Sequence, residues 1–274
     1  MGSAASSPET LAHLQEHGWA RIPSVLSKEE AASTLSKLWA ARDKAAASGE
    51  PSHYTWLDPN ANNVRVFNLL QLDPIFRTLI GHPTAVGAVQ AVLGKDFSIS
   101  NFTANIARPG SGSMCFHSDQ SVVFPEPWDR VWALNIIWCL TDVYADNGAT
   151  RFVPGSNRWT RREHIPGNAP ELLLPFEASA GDVLVMDGTV WHTSGRNVTK
   201  DQDRALLFGY YTKSFIRQQI NWTATLSKDV QDEVSPEMRE WLGLNPVSNI
   251  GAVGDLRFMS EQFPEYAEKD AAGS

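Results

Sequence analysis

Residues 181–211 read GDVLVMDGTVWHTSGRNVTKDQDRALLFGYY. Gly181-Asp182 is a turn that feeds a short apolar run, VLVMD, and the run is followed by VWH, which delivers His192. Twelve residues after that histidine, Arg204 opens a second apolar run, RALLFGYY. Two short runs separated by Gly, Asn and Asp turns read as neighbouring β-strands of a sandwich or barrel. His192 alone reads equally well as a satisfied, partly buried structural histidine. Arg204 is harder to explain. If it faces inward its charge needs a partner, because a lone buried charge is too costly. A bound dicarboxylate would be one such partner, whereas an edge strand would leave the guanidinium in solvent.

Upstream, residues 116–119 read FHSD. Positions i and i+2 of a strand share a face, so a strand over SMCFHSD would present His117 and Asp119 together. An H-x-D pair by itself is weak, since a surface histidine near a carboxylate is common. With His192 added, two imidazoles and one carboxylate make a set that binds one face of an octahedral Fe(II) and leaves the other face open. Arg204 nearby would clamp a carboxylate with two parallel hydrogen bonds.

Residues 97–213 carry further strand-like runs, FSISNFTANIARP, RVWALNIIWCLTDV and TRFVPGS, with a strong turn at Asp146-Asn147-Gly148. The N-terminal part is helical in character. Ser7-Pro8 is a helix start ending at Gly18, WARIPSV reads as a short strand, and Ser27 to Glu30 is a capping box. Residues 50–63 read as a loop, and helices follow Asp73-Pro74 and cover Thr84 to Leu93 before Gly94. The pattern predicts a mainly β fold with an N-terminal helical layer against one sheet. We expect one domain over 1–274, with 1–6 and 266–274 as flexible ends. SPEMREWLGL (235–244) reads as a helix, and residues 225–274 have no assigned role.

Composition narrows the function classes. The chain has 274 residues, 42% hydrophobic and 20% charged, with a net charge of −8. An acidic balance argues against nucleic acid or an anionic membrane as partner. The longest apolar stretch, WALNIIWCL, is too short to span a bilayer and carries Asn135. MGSAASSPET has no secretory character, so we expect a cytoplasmic protein, with Cys115 and Cys139 as free thiols. The sequons at Asn101, Asn197 and Asn221 then read as chance matches.

These motifs together resemble the phytanoyl-CoA dioxygenase family of Fe(II)/2-oxoglutarate oxygenases. The H-x-D, the distant histidine and the following arginine have that family's order and spacing. Asn147-Gly-Ala-Thr-Arg-Phe-Val-Pro-Gly-Ser156-Asn-Arg-Trp159 is similar to its NGATxxxPGSHxW segment, with Asn157 where histidine is usual. The resemblance covers roughly residues 10–220 and implies a double-stranded β-helix, a cupin-like jelly roll. It implies iron held by His117, Asp119 and His192, 2-oxoglutarate paired with Arg204, and O2 as oxidant. Thr150 and Ser194 are implied to hydrogen-bond the co-substrate, and Arg65 and Asn68 sit where relatives line the pocket. Phe67, Phe124 and Trp222, with Trp56 and Trp128, are the aromatics expected to ring a substrate pocket.

Asp119 argues against halogenation, since halogenating relatives put a small residue there. The implied reaction is oxidation of a small, apolar, natural-product-like molecule, with succinate and CO2 released. A homodimer is expected, as in relatives from fungal secondary metabolism. From the residues alone, a metalloenzyme independent of 2-oxoglutarate and a non-catalytic jelly-roll module both stay open.

Overall fold

The structure is a computed structural model, and it describes residues 7–245. The flexible ends expected at 1–6 and 266–274, and the last part of the 225–274 region, lie outside the described residues. The chain opens with α1 (Pro8–His17), capped by the Ser7 side chain and ended by Gly18 at φ 80°. That left-handed turn comes easily only to glycine. Strand β1 (Trp19–Ile22) follows, and then α2 (Lys28–Ala47), whose first turn is closed by the reciprocal Ser27–Glu30 box.

Strand β2 (Asn63–Val66) leads into three helices, α3 (Leu69–Leu72), α4 (Pro74–Ile80) and α5 (Pro83–Leu93). The β region then runs β3 (Phe97–Ala107), β4 (Ala133–Cys139), β5 (Thr150–Phe152), β6 (Leu174–Pro175), β7 (Val183–Asp187), β8 (His192–Ser194) and β9 (Arg204–Lys213). Three short helices close the described chain: α6 (Trp222–Thr225), α7 (Lys228–Glu233) and α8 (Pro236–Trp241). Trp241, at the end of α8, stacks on Phe97 at 5.2 Å, which seats the region that sequence left unplaced against β3.

The strands form two antiparallel sheets, one ordered β1-β7-β4-β9-β3-β2 and one ordered β6-β5-β8. This is a jelly roll. Alternation along the central strands divides its interior. Ile136 and Trp138 of β4, Val183 and Val185 of β7, and Leu207 of β9 join the core beneath the helical layer, with Leu38, Phe76 and Val89. Ile137, Cys139, Leu184, Met186 and Leu206 face the small sheet and pack with Phe152 and Phe176. That second core fills only one end of the space between the sheets. At the other end the inward positions turn polar: Asn101, Thr103 and Asn105 on β3, Asn135 on β4, and Arg204 and Tyr210 on β9 line a cavity of about 440 Å³.

One expectation is corrected. SMCFHSD is not a strand. His117 makes a single two-bond bridge to His192, and Asp119 starts a 3-10 turn, Asp119–Val122. The pairing partner, β8, is only three residues long, so no ladder extends beyond that bridge. Among the described residues, no helix is long and apolar enough to cross a membrane.

Candidate metal centre

The His117–His192 bridge brings the two imidazoles side by side, with ring centroids 4.3 Å apart. Asp119, on the turn that follows, sends Oδ1 to 3.7 Å from His117 Nε2 and 3.9 Å from His192 Nε2. One ligand atom from each residue can lie within 4.8 Å of the others, a cluster able to hold a metal ion. Each ring is oriented from behind. His117 Nδ1 lies 2.9 Å from the Cys115 carbonyl, and His192 Nδ1 lies 2.9 Å from that of Val190. Carbonyls only accept, so the proton sits on Nδ1 and the Nε2 lone pairs converge on one point. Burial also pushes His192 below its ordinary value, against the pull of Asp119, which favours the neutral imidazole a metal needs. Asp119 Oδ2 is occupied by Asn135 Nδ2 at 3.1 Å, so Oδ1 faces the cluster. The Tyr210 hydroxyl donates to the Asp119 carbonyl at 3.0 Å and ties the turn to β9.

Arg204 lies on the same cavity wall and is 1% exposed. Its Nε donates to the Gly148 carbonyl at 2.9 Å, and Nη1 donates to the Asn105 carbonyl and Oδ1 at 3.1 and 3.0 Å. Among the described residues, Nη2 has no hydrogen-bond partner and no acidic side chain pairs with the guanidinium. Burial, with the Arg65 charge behind it, pushes Arg204 down to about 9. A guanidinium keeps its proton inside proteins, so an anion is what relieves that strain. Asn105 Nδ2, beside it, is a buried donor without a partner among the described residues. Thr150 and Ser194 are cross-strand partners on the opposite sheet and line the same cavity. The Ser194 hydroxyl already accepts from the Met114 N–H at 2.9 Å.

The other expected residues divide. Phe67 lines the cavity, as does Trp56 at its mouth. Arg65 also lines it, but its fork is taken by Asp58, at 2.8 and 2.9 Å, with Met114 Sδ beside it. The structure places Asn68, Phe124 and Trp222 outside the cavity lining. Asn68 is the left-handed residue before α3. Phe124 is 76% exposed in the loop after the Asp119 turn. Trp222 is a core residue, 1% exposed, with its indole N–H on the Ile99 carbonyl. Trp128 is likewise buried and donates to the Val123 carbonyl. Asn157 lies against Gly18, outside the cavity. Sequence reasoning missed the amides Asn101, Asn105 and Asn135. For Asn101 and Asn105 the signal was present in NFTAN, where polar residues alternate through an otherwise apolar strand.

Residues 14–205 match the family model for phytanoyl-CoA dioxygenase (PhyH). This chain belongs to the phytanoyl-CoA dioxygenase family. It is 53% identical over 255 residues to the dioxygenase af480 of Aspergillus fumigatus, across 92% of this chain and 82% of that one. Its fold is similar to that of SnoK, a non-heme alpha-ketoglutarate-dependent carbocyclase from nogalamycin biosynthesis. That likeness has a TM-score of 0.62 at 21% identity, over 78% of this chain and 87% of SnoK. It is also similar to HygX from Streptomyces hygroscopicus, solved with nickel and 2-oxoglutarate bound. There the TM-score is 0.63 at 17% identity, over 77% of this chain and 89% of HygX.

Proposed function

We propose that this member of the phytanoyl-CoA dioxygenase family is an Fe(II)/2-oxoglutarate-dependent enzyme that oxidises a C–H bond of a small, largely apolar molecule, releasing succinate and CO2. The observation that carries this reading is Arg204, a buried cation with no acidic partner among the described residues, on the wall of the cavity that His117, Asp119 and His192 also line. Two neutral imidazoles and one carboxylate suit ferrous iron and leave coordination positions for other ligands. Bound there, iron and 2-oxoglutarate supply the oxidising power, with dioxygen consumed as the keto acid becomes succinate.

The residues do the rest. His117, Asp119 and His192 hold the metal, and the carbonyls of Cys115 and Val190 keep both imidazoles in the right tautomer. Arg204 Nη2 receives the distal carboxylate of the keto acid, with Asn105 Nδ2 and Thr150 beside it. Ser194 lines the same side. Arg65, neutralised by Asp58, contributes shape rather than charge. Phe67, Trp56 and Phe208 give the apolar wall for substrate. HygX has also been solved with hygromycin B, a small molecule, bound. An enzyme that dispenses with 2-oxoglutarate would have no use for an unpaired buried arginine.

The test is an anaerobic titration of 2-oxoglutarate into the Fe(II)-loaded chain, followed by its visible charge-transfer band. The band is expected in the wild type and absent in His192→Ala, with the secondary structure of both unchanged by circular dichroism. A wild type that binds Fe(II) but gives no band would sink the reading.

A further inference from the structure

The cavity holds a row of hydrogen-bond acceptors that neither the metal site nor the Arg204 region uses. In the sheet, Asn135 of β4 is paired with Tyr210 of β9, and Tyr210 is paired with Asn101 of β3. The three therefore form one transverse row, and all three line the cavity. The direction of the Asn135 amide is fixed by its neighbour. The Asp119 carboxylate only accepts, so Nδ2 must face it, and Oδ1 must point elsewhere. Asn135 is 7% exposed, and its Oδ1 has no partner among the described residues. Tyr210 commits its O–H to the Asp119 carbonyl, which leaves its oxygen free only to accept. Asn101 gives Nδ2 to Gln219 Oε1 at 3.0 Å, and its Oδ1 also lacks a partner among the described residues.

A buried acceptor left bare on ligand binding is penalised, and a ligand donor removes that penalty. We infer that the substrate is an apolar skeleton that already carries a hydroxyl, and that this hydroxyl donates to the Asn135–Tyr210–Asn101 row. The inference rests on the oxygenase reading above and names the substrate class for that site. A hydroxyl fits better than an ammonium. Among the described residues, Asp119 is the only acidic side chain lining the cavity and belongs to the metal site, so an ammonium would find no counter-charge there. The remaining wall near the mouth, with Trp56, Phe67, Val122 and Phe208, suits the hydrocarbon body. A hydroxyl-forming reaction must then precede this enzyme in its reaction sequence.

Matched probes test this without knowledge of the natural substrate. Cedrol, its methyl ether and cedrane share one skeleton, and borneol, its methyl ether and bornane share a smaller one. Each is titrated anaerobically, by calorimetry, into the full chain loaded with Fe(II) and 2-oxoglutarate. On at least one skeleton the alcohol is expected to bind about tenfold more tightly than both the ether, which lacks the donor, and the hydrocarbon. Asn135→Leu, which keeps the branched shape and number of side-chain heavy atoms but has no polar atom, is expected to cut that preference to about twofold while leaving hydrocarbon binding in place. A role limited to holding Asp119 would weaken all probes alike. Equal binding of alcohol and hydrocarbon, no binding of either alcohol, or a preference unchanged in Asn135→Leu would each overturn the inference. Failure of the oxygenase reading shows separately, as a missing charge-transfer band before any probe is added. If Asn135→Leu loses that band or its fold, the three-way comparison in the wild type still decides.

Discussion

Arg65 and Arg204 lie on the two strands that flank β3, both are buried, and both line the same cavity, yet they are treated oppositely. Arg65 is gripped by Asp58 in a two-point fork from the 50–63 loop, so its charge is neutralised within the chain. Arg204 is held by carbonyls and one amide, which orient the guanidinium without cancelling its charge. A cation paired inside the chain belongs to the folded structure, whereas one left unpaired has a partner still to come. The resemblance to the family marks both arginines for the pocket, and their surroundings separate them.

The sharpest way to break this contrast is to remove Asp58. The Arg65 charge would then be as isolated as that of Arg204, but without a carbonyl cradle for its fork. Asp58→Ala is expected to destabilise the chain by about 3–5 kcal/mol, the usual outcome when one member of a buried pair is deleted. Urea unfolding monitored by tryptophan fluorescence would measure it. A loss under 1 kcal/mol would mean that the pair is no more important than a surface contact.

The contrast also shows what sequence makes legible. Caps and turns were readable because their chemistry is local: Ser27 and Glu30 close their box, and Gly18 and Gly148 take positive φ where a turn needs it. The strands were readable as short runs rich in β-branched and aromatic residues between turns, as in VLVMD and RALLFGYYTK. Placement of His117 and Asp119 beside His192 was legible from residue type and spacing, while the strand assigned to them was not. A three-residue partner strand cannot be seen in the upstream segment. Aromatics were the weakest signal. Trp222 is core and Phe124 is out in solvent because packing across distant segments decides burial, not residue type. The state of each arginine was illegible for the same reason. Asp58 sits in a loop whose path no local pattern specifies.

Asp187 provides an anionic counterpart to Arg204, a buried acidic group without a counter-ion among the described residues. It ends β7, and its Oδ1 accepts from the Thr189 N–H at 2.8 Å and from the Thr189 hydroxyl at 2.9 Å. Burial outweighs those bonds and raises the carboxyl to about 6, from an ordinary 3.8. Because the folded value lies above the unfolded one, folding favours the protonated form. Its contribution is present in full below about pH 4 and is lost as pH rises through about 6. Asp187→Asn keeps an acceptor for Thr189 and has no charge to bury. The variant should match the wild type near pH 4 and exceed it by roughly 2–3 kcal/mol at pH 8. Paired urea melts at both values would check this, and a pH-independent difference would show that Asp187 is not the titrating group.

Arg204 gives the smallest energy and the most specific readout. If its charge awaits a ligand, removing it should affect binding more than folding. Arg204→Ala deletes an uncompensated buried cation, so its urea midpoint without ligand should stay within experimental error of the wild type or rise. The keto acid, by contrast, loses a charge-assisted fork, a contact worth about 1.5–3 kcal/mol. Part of that is recovered through Asn105 Nδ2 and Thr150, so the loss in 2-oxoglutarate affinity should be about ten- to thirtyfold, or about 1.4–2 kcal/mol. Lysine restores the charge but not the planar fork that the Gly148 and Asn105 carbonyls orient, so Arg204→Lys should recover only about threefold of it. Fe(II) affinity without the keto acid should be the same in all three proteins, since Arg204 is not among the metal-clustering residues. Anaerobic titrations followed by the charge-transfer band give these affinities directly. Equal titration curves for wild type and Arg204→Ala, together with a large loss of stability in the variant, would make Arg204 a structural residue like Arg65 and erase the distinction between them.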